Sequence, residues 1–351
     1  MLIGCCACWF VGAVGRAIAA VYVPPAGKLY AGVSAGIPST YEDQTGVHAP
    51  VFEEYVTWGG KIDWALRIAD ANRSRVMLHI STIRPSGGEV ISPGEIAHGR
   101  GDSYLLALAA SLSARGEPTY VRIMAEMNGY WEPYWAFNAN GRARGRAHSS
   151  REFRQAWRRI VIILRGGQLQ SVNRQLTKLG MPPVRLSAAL LPEAPVAFIW
   201  NPQTAGDPDI PANSPSAYFP GGRYVDWIGT DFYSKFPNWR GLNWFYGTYE
   251  GKYPSKPFMF GEWGMWGVDH PKFVRQFFRW VRSHRPVRML MYFQGYNPSG
   301  VFNLDHYPRA RSLISRELKS ARFAPFTPEW VDGNPPPGSQ PTPGSPPPPG
   351  A

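Results

Sequence analysis

The sequence predicts an α/β chain closed into a (β/α)8 barrel, the TIM barrel, on three observations. Short β-rich apolar runs alternate with helical patterns, eight such runs can be picked out, and no Gly-rich phosphate loop follows the first of them. In chain order the strand candidates are Lys28 to Ser34, Val51 to Trp58, Arg75 to Ile83, Tyr120 to Asn128, Val196 to Asn201, Asp226 to Ser234, Pro257 to Gly264 and Arg288 to Gln294. Helical patterns occupy Lys61 to Asn72, Asp102 to Arg115, Ser150 to Leu164 and Pro271 to His284. In the third of these, Phe153, Ala156, Trp157, Ile160, Val161 and Leu164 recur at spacings of three and four, which makes one apolar stripe and predicts that the arginines between them lie on a solvated face. The stretch from Gly166 to Pro195 is longer than one crossover requires and reads as an insertion. Eight strands over roughly 300 residues favour a closed barrel over an open doubly wound sheet.

A single catalytic domain is expected over 27–325. The 351 residues are 44% hydrophobic and 18% charged, which excludes a wholly disordered chain. Residues 1–20 form an apolar stretch too short and interrupted for a membrane span, and Ala17, Ala19 and Ala20 supply the small residues of a cleavage site, so an export signal is expected and with it a secreted or cell-wall-associated protein. Cys5, Cys6 and Cys8 all fall inside that stretch, so a processed chain carries no thiol. Residues 326–351 turn to Pro, Gly, Ser and Thr, a composition that cannot bury a core and reads as a disordered tail or linker.

The formal net charge of +12 raises the question of nucleic acid or an anionic membrane. The densest basic run, Arg142 to Arg159, overlaps the amphipathic helix, and no zinc-finger or RNP signature accompanies it. No nucleic-acid partner, no stable membrane insertion and a monomeric state are expected. The seven histidines are scattered without a His-x-x-x-His pair, so neither a metal nor another cofactor is expected, and His79 reads as a hydrogen-bonded wall residue. Asp102, in Arg100-Gly101-Asp102-Ser103, reads as the cap of the next helix. No Gly-x-Ser-x-Gly follows a strand, which sets aside a serine hydrolase.

Barrel sites are built at the C-terminal ends of the strands, and two carboxylates stand there. Glu126 closes the run from Val121 to Gly129, and Glu262 closes the run from Phe258 to Gly264. Strict alternation predicts that Arg122, Met124, Glu126 and Asn128 share one face, and that Phe258, Phe260 and Glu262 share another. Two carboxyls in one pocket suit glycoside hydrolysis, in which one protonates the leaving oxygen while the other attacks the anomeric carbon or activates water. Arg122 is a candidate inward cation for the ionised partner, with Tyr233 donating a hydrogen bond. At 14% aromatics, with 14 Trp and 17 Tyr, the chain is rich in flat faces that suit pyranose rings. Trp131, Trp200 and Trp263 fall near strand ends and are candidate sugar platforms, while Trp135 and Trp266 fit a platform or simple filling equally well. Asn128 fits a sugar hydroxyl or a helix cap, and Phe293 with Gln294 would floor the site.

The run Arg-Ile-Met-Ala-Glu-Met-Asn-Gly-Tyr-Trp-Glu-Pro-Tyr-Trp, Arg122 to Trp135, resembles the acid/base strand of glycoside hydrolase family 26, the β-mannanase family of the retaining (β/α)8 clan. Phe198 to Pro202, Tyr218 to Asp231 and Lys256 to Gly264 resemble that family's fifth, sixth and nucleophile-bearing strands, and the likeness spans Gly32 to Leu313. The resemblance implies Glu126 as acid/base, Glu262 as nucleophile, retention of anomeric configuration, and a β-linked polysaccharide, β-1,4-mannan or glucomannan, as substrate. Two departures stand out. Ala125 replaces the histidine the family usually has before the acid/base, and the third strand offers His79-Ile80-Ser81-Thr82 in place of a Glu-Pro ending. They leave open a mixed-linkage β-glucanase or β-xylanase of the same family, and a carbohydrate-binding barrel without catalysis.

Overall fold

The structure, a computed structural model, describes residues Val21 to Val331. The strands β1 (Tyr30–Ser34), β2 (Val51–Thr57), β3 (Arg75–Ser81), β4 (Thr119–Ile123), β5 (Val196–Trp200), β6 (Trp227–Tyr233), β7 (Phe258–Gly264) and β8 (Val287–Phe293) close into a barrel in sequence order, with β1 paired to both β2 and β8. Every expected strand is present. β4, however, stops at Ile123 rather than running on to Asn128.

The pleat sorts side chains into two cores. Tyr30, Val51, Met77, Tyr120, Ile199, Trp227, Met259 and Met291 fill the barrel interior, whereas residues at the alternate positions, such as Phe52, Val121, Phe198 and Phe260, pack outward under the helices. Residues 167–191 form the insertion, a short helix between two strands of two residues each, Gly167–Gln168 and Leu190–Leu191, paired antiparallel.

The helix Ser150–Arg165 starts at Ser149, whose hydroxyl accepts the Glu152 N–H, and it buries the expected apolar stripe. Arg151 faces solvent as expected, but the arginines that follow it in the helix do not. Arg159 is fully buried and grips Asp102 through two parallel hydrogen bonds, and Arg158 and Arg165 donate to the carbonyls of Pro220 and Arg223 at 2.8 and 2.7 Å. Arg159 can be fully buried because each of its three nitrogens finds an acceptor, two on Asp102 and one on the Pro182 carbonyl. Asp102 is therefore the counter-ion of Arg159 and sits inside its helix, with Gly101 at the cap position.

The folded unit also outruns the expected span of 27–325. Trp227 donates to the Val21 carbonyl at 2.6 Å, and Arg75, at the barrel floor, holds both the Tyr22 carbonyl and the carboxylate of Glu329. Thr327 and Trp330 are buried. The cause is the charge of Arg75, which finds its counter-ion in the turn beyond the expected boundary. The expected export signal and the proline runs lie outside the described residues. Among the described residues, no helix is long and apolar enough to cross a membrane.

Candidate active site

Towards the C-terminal end of the barrel the inward positions turn polar. On β2, Val51 belongs to the inner core and Glu53 and Tyr55 follow it at a period of two. On β4, Arg122 follows Tyr120; on β6, Asp231 and Tyr233 continue the face begun by Trp227.

β7 breaks this alternation. Phe258 and Phe260 face outward and Met259 faces inward, so an unbroken strand would send Glu262 outward too. The expectation that these three share the mouth-facing side is thus incorrect. The pairing of β7 with β6 slips by one residue, so that Phe260 stands opposite Thr230 but Glu262 stands opposite Asp231. The extra residue is Gly261, where any side chain would collide with the Asn201 amide and the Arg122 guanidinium. The bulge turns Glu262 into the mouth. It turns Trp263 out, where the indole stacks on Phe277 with centroids 4.4 Å apart.

Glu126 arrives by another route. Beyond Ile123 the chain leaves the sheet, and Met124 and Glu126 take φ of 40° and 54°, a left-handed backbone that side-chain-bearing residues rarely hold. The predicted row Arg122, Met124, Glu126, Asn128 is accordingly not a strand face. The turn is held by the Glu126 N–H donating to the Asn201 carbonyl at 2.8 Å. Asn128 clamps it to the loop after β5, donating to the carbonyls of Gln203 and Ala205 at 3.1 Å and accepting the Gln203 N–H at 2.8 Å. Gln203 in turn donates to one carboxyl oxygen of Glu126, and the indole N–H of Trp131 donates to the other. Ala125, at the family's histidine position, is fully buried, and its carbonyl accepts the Tyr134 hydroxyl at 2.6 Å.

Around Glu262 three donors converge. Arg122 and the Tyr55 hydroxyl both reach Oε1 at 2.6 Å, and the Tyr233 hydroxyl donates to Oε2. The Glu262 backbone N–H donates to Asp231 Oδ1 at 2.7 Å, while Asp231 Oδ2 accepts from Arg122. Arg122 also donates to Glu53 Oε1 at 3.1 Å and lies 3.2 Å from Nδ1 of His79. One fully buried guanidinium thus serves Glu53, Asp231 and Glu262 together.

Crowding of acids in a dry site shifts their protons. Burial and the negative charge of Glu262 push the Glu126 carboxyl up to about 7. Burial holds Asp231 well above the usual carboxylate range against the pull of Arg122. Burial likewise lifts Glu53 to about 7 despite Arg122. His79 is held well below its ordinary value by burial and by the neighbouring guanidinium, so its ring is neutral and accepts from Arg122. It is a wall residue, as expected. One carboxyl that keeps its proton near neutrality thus stands beside another that faces a cation and two phenols, the division of labour that acid/base and nucleophilic roles require.

The raised Glu126 value has a consequence for stability. With a folded value near 7 against an ordinary 4.5, the folded state binds the extra proton between those limits. Its contribution is complete below about 4.5 and is lost as pH rises through about 7. Glu126→Gln, which cannot ionise, is therefore expected to melt a few degrees above the parent at pH 8 and level with it near pH 4.5, by calorimetry. A constant difference across that range would contradict the assignment.

Of the residues expected at the site, Trp131, Tyr233 and Phe293 join the two glutamates. Trp131 is 42% exposed, and Phe293 meets Tyr55 and Tyr233 edge-on at 6.2 and 6.1 Å. Arg122 lies beneath them without any exposed surface, so it positions Glu262 and does not touch a substrate. Asn128 is buried and spent on its clamp. Trp200 is fully buried because it occupies an outward position of β5, packed on Phe219, Phe245 and Tyr249. Trp263 is outward for the reason given above. Neither indole can serve as a sugar platform. Trp266 is half-buried against Tyr233, and the Trp135 ring lies under Arg144. Gln294 is buried, with its amide on Gln44 and Asn303.

Four functional residues escaped the sequence. Glu53 and Tyr55 were detectable in principle, since they continue the inward face begun by Val51, and Asp231 shares the face of Tyr233. Gln203 sits in an irregular loop and leaves no periodic signal. Among the described residues, no group of three or more His, Cys, Asp or Glu is arranged to hold a metal ion.

No protein-family model matches the chain. Several solved structures share its fold. A Bacillus subtilis mannanase superposes with a TM-score of 0.54 over 90% of this chain and 92% of its own, at 13% identity. A family 26 β-mannanase from Bacteroides ovatus gives 0.57 over 86% and 91%, at 13% identity. A modular endo-β-1,4-mannanase from Cellulomonas fimi gives 0.56 over 85% and 72%, again at 13% identity. At such low identity these establish the (β/α)8 architecture. Among curated proteins, Endoglucanase H of Acetivibrio thermocellus is 23% identical over 134 residues, 38% of this chain but 14% of that protein.

Proposed function

We propose that the protein is a retaining glycoside hydrolase of family 26 that cleaves β-1,4-mannan or glucomannan by double displacement. The observation that carries this reading is the pairing of Glu126, its proton held near neutrality, with Glu262, placed by Arg122, Tyr55 and Tyr233. Sugar C1 forms a bond to Glu262 Oε as the C1–O bond to the departing chain breaks, and that oxygen takes the Glu126 proton. Glu126, now anionic, removes a proton from water as the water oxygen attacks C1 and releases Glu262. Family membership is supported by the shared fold and by the Glu-Met-Asn-Gly-x-Trp motif. The family 26 enzymes with which the fold is shared act on mannan, which supports the substrate. Secretion is proposed from the polymeric substrate and the apolar first 20 residues.

A second substrate reading, a mixed-linkage β-glucan, is favoured by two facts. The curated match is an endoglucanase, and Ala125 removes the usual histidine. Reducing-sugar release from galactomannan, lichenan and xylan decides between them, and proton NMR of the first product decides retention. A protein inactive on all three yet retained by a polysaccharide gel would be a binding barrel, and the hydrolase proposal would fall.

Glu126→Ala tests the acid role. Aryl glycosides with good leaving groups need little protonation, so their first step is expected to survive within about tenfold while polysaccharide hydrolysis drops about 10²- to 10⁴-fold. Equal losses on both would assign the acid to another residue. In the parent, activity is expected to decline as pH rises through about 7, where Glu126 gives up its proton.

A further inference from the structure

A cavity of about 350 Å³ lies outside the catalytic mouth, between the loop after β5 and the first turns of the helix Trp239–Lys252. Thr204, Asp209, Ser214, Asn238, Arg240 and Trp244 line it. The helix buries Leu242, Phe245, Tyr246 and Tyr249 on its inner face, and Trp244 points elsewhere. Its indole is 54% exposed, and among the described residues it meets no other aromatic ring. Arg240 precedes it by one helical turn and shares its face. Among the described residues, neither Arg240 nor Asp209 enters an ion pair. Asn238 spends its amide oxygen on the Gly241 N–H, leaving its NH₂ group without a protein partner among the described residues.

We propose that this cavity is a second, non-catalytic sugar-binding site, which takes one pyranose unit of the same β-linked polysaccharide that is cleaved in the mouth. A pyranose presents a face of C–H bonds, which suits an open indole, and a rim of hydroxyls that each donate and accept. A carboxylate, a guanidinium, an amide and hydroxyls around one indole match that mixture. A phosphate or other anion would confront Asp209. A purely apolar ligand would strand the polar rim, at a cost for each group left without water or partner. The volume falls at the lower end of the range for small-ligand sites, so it holds one ring rather than a long chain.

The cavity also shares a loop with the catalytic machinery. The loop that lends it Thr204 carries Gln203, which donates to Glu126, and Asn128 fastens both ends of that short stretch. A chain held here is anchored one residue away from the contact that positions the proton donor.

The choice of ligand rests on the hydrolase proposal, and the experiment separates the two. In a Glu262→Ala background, which leaves the polymer intact, affinity electrophoresis in galactomannan, lichenan and xylan gels is compared with and without Trp244→Ala. Retention is expected to weaken roughly fivefold or more in the gel whose polymer the parent hydrolyses, with Trp244→Phe restoring most of it and Asp209→Ala weakening it independently. With Glu262 intact, Trp244→Ala is expected to lower the ratio of polysaccharide to aryl-glycoside turnover. Unchanged retention in both Trp244→Ala and Asp209→Ala overturns the second site and leaves the hydrolase standing. A parent that cleaves none of the polymers, but whose retention still depends on Trp244, overturns the hydrolase and supports the site.

Discussion

Glu262→Ala is expected to lower turnover of every glycan and aryl glycoside the protein cleaves by about 10⁴-fold or more. The carboxylate that would attack C1 is gone, and the Arg122, Tyr55 and Tyr233 donors are left facing an empty volume. No other group there can replace it. Asp231 is committed to the Glu262 N–H and to Arg122, and Glu53 lies fully buried beneath the guanidinium. Folding is expected to persist, because Arg122 retains two acidic partners. Added azide fits the vacated space and is expected to restore turnover of activated aryl β-glycosides, yielding an α-glycosyl azide detectable by NMR. A β-azide, or an alanine variant within tenfold of the parent on an activated substrate, would remove Glu262 from the nucleophile's role.

Arg122→Leu carries the largest expected effect on stability. The side chain has no exposed surface and is the cation shared by Glu53, Asp231 and Glu262. Removing one partner from a buried charge cluster costs about 3–5 kcal/mol, mostly through the groups left uncompensated. Those acids can relieve the strain by taking up protons, so the deficit should be smaller at pH 5 than at pH 8 in urea melts. The direction follows from linkage: without the guanidinium the folded-state values of Glu53 and Asp231, already raised by burial, rise further, and stability is lost as pH climbs towards them. Adding Glu53→Gln should recover part of the loss. A deficit that ignores pH, or a double variant no better than the single one, would show that packing and not charge sets the cost.

Much of this molecule can be read without coordinates, and the failures have physical causes. The eight strands were visible because buried parallel strands are continuous apolar runs with helical stripes between them. Glu126 and Glu262 were visible because a charge at the end of such a run is out of place unless it lines a mouth. Trp200 and Trp263 were misassigned because nearness to a strand end says nothing about which side of the sheet a residue occupies. Arg159 was misassigned because a charged residue in an amphipathic helix reads as solvated unless its counter-ion, here Asp102 in another helix, is known. The left-handed turn at Met124 and Glu126 is set by the Asn201 carbonyl and the Asn128 clamp, contacts made across distant parts of the chain.

The slipped pairing at Gly261 frees the acid's direction from the parity of its strand. Were Gly261 removed, regular pairing would run on from Phe260 to the acid and leave it opposite Asp231; were the residue kept and the bulge flattened, Trp263 would swing inward and the carboxylate would be buried among aromatic rings. In that flattened form composition, length and hydropathy would be the same, and chemistry would stop. A homologue of this chain can therefore bring the acid to the mouth in two ways, four positions after Phe258 with a bulge or three positions after it without one, a distinction that percentage similarity does not capture.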